Sequence, residues 1–97
     1  MYGTIARLHP LEDRLDEFMA TGESMRGATM PGFRASYLFR PDHNPYDRLT
    51  FFLVAVFEDK ATYMANADSP EQNERFMRLR ALLHDDPEWM DGTFEGA

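Results

Sequence analysis

Apolar residues recur at two spacings in this chain, and each change of spacing marks the end of one element and the start of another. Tyr2–Leu8 is short, carries Ile5 and is followed by Pro10, which reads as a strand ending at a helix start. From Leu11 the spacing becomes helical. Leu11, Leu15, Phe18, Gly22 and Met25 fall on one face, with Asp13, Asp16, Glu17 and Ala20 opposite. Met30-Pro31-Gly32 is a turn signal that stops this helix. Phe33–Arg40 then alternates, with Phe33, Ala35, Tyr37 and Phe39 on one side and Arg34, Ser36, Leu38 and Arg40 on the other, as in a half-buried edge strand. Pro41–Asp47 reads as an exposed hairpin loop, and Leu49–Phe57, LTFFLVAVF, is the strongest strand in the chain. A short helix is expected over Lys60–Ala67, capped by Asp59. Ser69 then caps a second one, with Pro70 at the first helical position and Gln72 completing a capping box. This helix is expected to run to about His84, where Asp85-Asp86-Pro87 ends it, and Trp89–Glu95 forms a last strand.

The order is βαββαβ, an α+β, ferredoxin-like arrangement with a four-stranded antiparallel sheet. Right-handed crossovers put the first and third strands in the centre and both helical segments on one face. The third strand is apolar on both sides: Phe51, Leu53, Ala55 and Phe57 point one way, Phe52, Val54 and Val56 the other. Helices cover only one of those sides. Leaving several large side chains in water forfeits about 1.5–3 kcal/mol for each, a substantial loss in a small domain. A second copy laid sheet to sheet removes that loss, so a homodimer forming a dimeric α/β barrel is expected.

Composition narrows the function classes. The chain has 97 residues, read as one domain over 1–97. With 13% aromatic and 43% apolar residues it is a folding sequence, and with no cysteine it has no disulfide or thiolate metal site. A net charge of −7, with the basic residues scattered, argues against nucleic acid as a partner. Met1–Pro10 does not read as a secretory signal and no segment approaches a membrane span, so a cytoplasmic protein without membrane association is expected. His9, His43 and His84 fall in three different regions, and the glycines match no phosphate-binding or nucleophile-elbow spacing; no metal site is expected.

The segment around Phe57–Phe76, a VAVFED strand end followed by Tyr63, Ala65, Ser69-Pro70-Glu71 and Phe76, resembles the antibiotic biosynthesis monooxygenase family of the dimeric α/β-barrel superfamily. Element order, lengths and the Pro31-Gly32-Phe33 approach to the second strand extend the resemblance over nearly the whole chain. The resemblance implies a homodimer with a pocket in each subunit between sheet and helices. The family includes oxygenases of aromatic polyketides that use neither metal nor flavin, quinol oxygenases and haem-degrading enzymes. Tyr63 matches the aromatic hydroxyl that the family places six residues past the third strand. Phe57 stands where family oxygenases often carry Trp, Asn66 where they often carry His, and Leu53 where some carry Asn. The haem-degrading branch's iron ligand is among the residues missing, and no cofactor is expected.

The residues themselves supply the remaining candidates. On the last helix Phe76, Leu79 and Leu83 centre an apolar face flanked by a stripe of Asn73, Arg80 and His84, which suits either a pocket wall or the solvated edge of a buried zone. Gly22, mid-face on the first helix, marks either close packing or a hollow bordered by Phe18, Met19 and Met25. Tyr63 can donate a proton or hydrogen bond to a carbonyl or oxyanion, or simply cover the barrel end. Trp89 and Tyr37 suit interface anchoring or pocket lining. The resulting expectation is a cofactor-independent monooxygenase or related small-molecule enzyme acting on an aromatic or electron-rich substrate. Tyr63, Asn73 and Arg80 would carry the chemistry, with Phe18, Gly22, Phe57, Phe76, His84 and Trp89 around the substrate. The alternative is a non-catalytic dimeric module that binds a hydrophobic metabolite, or a structural dimer without ligand.

Overall fold

The computed structural model describes residues 1–26 and 30–96, with the backbone alone for 24–26. The elements are β1 (Tyr2–Leu8), a 3-10 turn (Glu12–Arg14), α1 (Leu15–Arg26), β2 (Phe33–Phe39), β3 (Phe51–Phe57), α2 (Lys60–Ala67), α3 (Pro70–Arg80) and β4 (Glu88–Thr93). The strands form one antiparallel sheet in the order β2-β3-β1-β4. This is the ferredoxin-like α+β fold.

Local chemistry sets the element boundaries. Met30-Pro31-Gly32-Phe33 closes with a 3.1 Å bond from the Phe33 N–H to the Met30 carbonyl, and Gly32 takes φ +75°. Proline before a residue of positive φ is the type II turn pattern. A side chain at Gly32 would also run into Thr62. Asp59 caps α2 by accepting from the Thr62 N–H at 2.8 Å, which holds its carboxyl below the usual range. Ser69 caps α3 by accepting from the Gln72 N–H at 3.1 Å. The other arm of the expected capping box is not made. The Gln72 side chain accepts instead from Asn66 and Arg75.

Three expectations need correction. The apolar period beginning at Leu11 becomes α-helix only at Leu15, because the Leu11 N–H donates to the Leu82 carbonyl and a 3-10 turn intervenes. The last helix stops at Arg80 rather than His84. Beyond it the chain is drawn into an antiparallel bridge between Pro10 and Leu83, and the His84 N–H donates to the His9 carbonyl at 2.8 Å. His84 therefore leaves the helical stripe that it was expected to share with Asn73. Finally, the register of β2 on β3 slips between Phe33 and Ala35. Slipping by one residue reverses every side chain, so Phe33 faces the helices together with Ser36 and Leu38, not the side of Ala35, Tyr37 and Phe39.

The covered face of the sheet divides into two ends. At one, Leu8, Phe18, Phe51, Leu79, Leu82 and Leu83 close into the buried core, with the Phe18 and Phe51 rings 5.2 Å apart. The other end is hollow. Pairing brings Ser36 opposite Ala55, Ala55 opposite Thr4, and Thr4 opposite Asp91. That row crosses all four strands with only small or polar side chains, between a row containing Leu38, Leu53 and Ala6 and one containing Phe33, Phe57 and Tyr2. None of its side chains is large enough to fill the space beneath the helices.

Candidate functional site

Above this row lies a cavity of about 430 Å³, within the range of small-molecule sites. Its floor is Ser36, Ala55, Thr4 and Asp91; Phe33 and Phe57 close one side, and Leu53, Leu79 and Trp89 the other. The roof follows from helical spacing. Tyr63, Asn66 and Ala67 share a face of α2, and Gln72, Phe76 and Leu79 share a face of α3, with Asn73 and Arg75 flanking it.

Two polar groups define the cavity. The first joins Tyr63 to Asp91: the phenol donates to the carboxylate at 2.8 Å. The Tyr63 ring packs edge-on against Phe57 and Tyr2, at 5.6 and 5.4 Å between centroids. Burial, and then the bond to Asp91, push its pKa up to about 12, against a smaller opposing effect of the Thr4 hydroxyl. Tyr63 is thus a hydrogen-bond donor at neutral pH and not a base. The second group is on the helices. Arg75 donates through Nε to Gln72 at 3.1 Å and through Nη2 to Asn66 at 3.3 Å and the Met30 sulfur at 3.4 Å, while Asn66 itself donates to Gln72.

The structure brings together Tyr63, Asn73, Phe57, Phe76 and Trp89 of the expected residues, the last two with rings 6.2 Å apart. It places the others elsewhere. Arg80 donates to Asp86 at 2.7 Å and to the Leu83 carbonyl at 3.1 Å, fastening the end of α3. His84 is exposed beyond that helix, and Phe18 is buried in the core. Gly22 is not part of the cavity lining: among the described residues a Cβ there would meet only the Leu38 side chain, at 3.9 Å. Met19 is exposed, and the Met25 side chain lies outside the described residues. Asp91, Thr4 and Ser36 were not anticipated, because they meet only once strand register is known. Arg75 and Asn66 carried a usable signal. Arg75 lies four residues before Leu79 and Asn66 three after Tyr63, both on cavity-facing arcs. Among the described residues no group of acidic or histidine side chains is arranged to hold a metal ion. Nor is any described helix long and apolar enough to cross a membrane.

A ferredoxin-like domain with a ligand-sized hollow between its helices and sheet is the class of protein defined so far. Residues 1–76 match the model of the family described as antibiotic biosynthesis monooxygenase, and the chain belongs to that family. No curated protein matches its sequence significantly. Among solved structures, it is similar to a variant of SnoaB, a cofactor-independent oxygenase from Streptomyces nogalater, with 20% identity, 99% of this chain and 94% of that one covered, and a TM-score of 0.79. It is likewise similar to a protein from Bordetella bronchiseptica described as an antibiotic biosynthesis monooxygenase, with 18% identity, 97% and 96% coverage, and a TM-score of 0.80. A conserved protein from Methanosarcina mazei aligns at 16% identity over 97% of this chain and 92% of that one, with a TM-score of 0.79. At these identities the likeness is one of fold.

Proposed function

We propose that this protein is a cofactor-independent oxygenase of an aromatic or otherwise electron-rich hydroxylated molecule, bound in the cavity between sheet and helices. The observation that carries the reading is the Tyr63–Asp91 pair, a protonated phenol held on a carboxylate at the wall of an otherwise largely apolar pocket. Family membership and the SnoaB-like fold support it.

In such a reaction the substrate is its own reductant. A phenol ionises to the phenolate, which passes an electron to dioxygen. Recombination at a ring carbon bearing hydrogen gives a hydroperoxide, and loss of water leaves the quinone, so one phenol and one dioxygen become one quinone and one water. The protein's contribution is to take up the phenol proton and stabilise the oxyanion left behind. Asp91 is the acceptor at the site. Tyr63, keeping its own proton, turns its hydrogen bond from Asp91 to the substrate oxyanion. Asn73 supplies an amide at the cavity wall, and Phe57, Phe76 and Trp89 enclose the ring. Arg80 has no part in this scheme, since its guanidinium is engaged by Asp86 and Leu83.

Oxygen consumption with a panel of hydroxylated aromatics and quinols tests the proposal. Turnover is expected to fall by about 10²-fold or more in Tyr63→Phe and Asp91→Asn, the usual scale for a lost proton-transfer or oxyanion partner, and to persist in Arg80→Ala. Binding without oxygen uptake across the panel would favour the non-catalytic module instead. The open side of the sheet, where Tyr37, Phe39 and Met90 are 62%, 58% and 65% exposed, is the surface for the second copy of the proposed homodimer.

A further inference from the structure

The geometry points to Arg75 as an anchor for a single negative charge, so that the molecule held in the cavity is an aromatic acid, with its carboxylate on Arg75 and its ring between Phe57, Phe76 and Trp89. The inference rests on the reading of the cavity as a ligand site and adds the class of ligand. Arg75 is half-buried on the cavity wall, yet all its hydrogen-bond partners are neutral: two amide oxygens and a thioether. Its Nη1 bonds to no acceptor among the described residues, and no carboxylate pairs with it there. The other half-buried arginines among the described residues, Arg7 and Arg80, each pair with an acid, Glu88 and Asp86, and Arg75 does not. Burying a cation among neutral partners is costly, and the cost is recovered when a carboxylate arrives.

The amides fix the guanidinium in place. Gln72 and Asn66 hold Nε and Nη2 and are themselves bonded together, so little side-chain freedom is lost when an anion docks. The sulfur of Met30 is a weak acceptor that a carboxylate oxygen can displace, which leaves Nη2 and Nη1 free to bind a carboxylate in the two-pronged manner natural to arginine. The size of the charge follows from the lining. Arg75 is the one cationic side chain on the described wall, so it can pair one carboxylate, and Asp91, the one anionic side chain there, disfavours the second negative charge of a phosphate monoester.

Binding of naphthoate, its neutral amide and naphthol to the 97-residue chain provides the test, followed by calorimetry or by the fluorescence of Trp89, the chain's one tryptophan. Naphthoate is expected to bind at least about tenfold more tightly than the amide, which corresponds to ~1.4 kcal/mol. That preference should vanish in Arg75→Gln and survive in part in Arg75→Lys. Equal affinity for acid and amide in the unaltered protein overturns the inference and leaves the ligand site standing. The same holds if naphthol binds and naphthoate does not. A preference that persists undiminished in folded Arg75→Gln removes Arg75 as the anchor. If none of the three compounds binds, the cavity reading fails together with the inference.

Discussion

Tyr63 keeps its proton well into alkaline solution because burial disfavours the phenolate, and because the hydrogen bond to Asp91 and, less, that carboxylate's charge favour the neutral phenol. The sign of the pH effect follows. A raised pKa favours the neutral phenol in the folded state, so its stabilising contribution is complete below about pH 10, the ordinary tyrosine value, and is lost as the pH rises towards 12. Ultraviolet titration of phenolate should show one tyrosine ionising near 12, absent in Tyr63→Phe and shifted down, though not fully, in Asp91→Asn, where burial still acts. A curve unchanged by either substitution would contradict the pairing. Two glycines offer a contrasting pair. Gly32→Ala should destabilise the fold by about 1–2 kcal/mol or more, since it needs positive φ and meets Thr62. Gly22→Ala should stabilise it by about 0.5–1 kcal/mol, because among the described residues a Cβ there meets only Leu38, at an ordinary contact distance, and alanine loses less entropy in a helix. Urea unfolding distinguishes the two, and a destabilised Gly22→Ala would show that some contact there depends on the missing Cβ.

The transverse row Ser36, Ala55, Thr4, Asp91 makes room for a ligand by being short where its neighbouring rows are long. Replacing its centre should therefore close the hollow without disturbing the core. Ala55→Leu is expected to weaken ligand binding by tenfold or more while leaving the thermal midpoint within a few degrees, and ligand affinity equal to the unaltered chain's would show that the molecule binds elsewhere. Much of the framework around this row was readable from residue types alone. The bounds of β1 and α2 fell where Pro10 and Asp59 place them, and Ser69-Pro70 opened α3 as expected. The floor was not readable. It depends on which residue of β2 lies opposite Ala55, and the slip between Phe33 and Ala35 decides that through backbone pairing that no side-chain alternation reveals. Asn73 and Phe76 could be assigned to the cavity from helical spacing because each lies well inside its helix, and Tyr63 from the family resemblance. His84 was misplaced because long-range pairing with His9–Leu11 ended its helix early, and Arg80, the last residue of that helix, is turned to Asp86 and the Leu83 carbonyl instead of the cavity.

For the molecule as a whole, the uncovered side of the sheet sets the expected state in solution. Phe39 and Phe52 pack ring against ring there at 6.2 Å, and Tyr37 and Met90 stand largely in water. Phe39→Glu should shift sedimentation from dimer to monomer with the circular dichroism retained. A monomer in the unaltered protein at micromolar concentration would remove the proposed association altogether. The two ends of the helix-covered side bear on a different question, the history of such proteins. Cohesion is concentrated around Phe18, Phe51 and Leu82, whereas the groups that would meet a ligand cluster around Ala55 and Asp91 at the far end. Descendants of this chain could therefore exchange the furnishings of one chamber, taste for one guest giving way to taste for another, while the masonry at the other end stayed untouched.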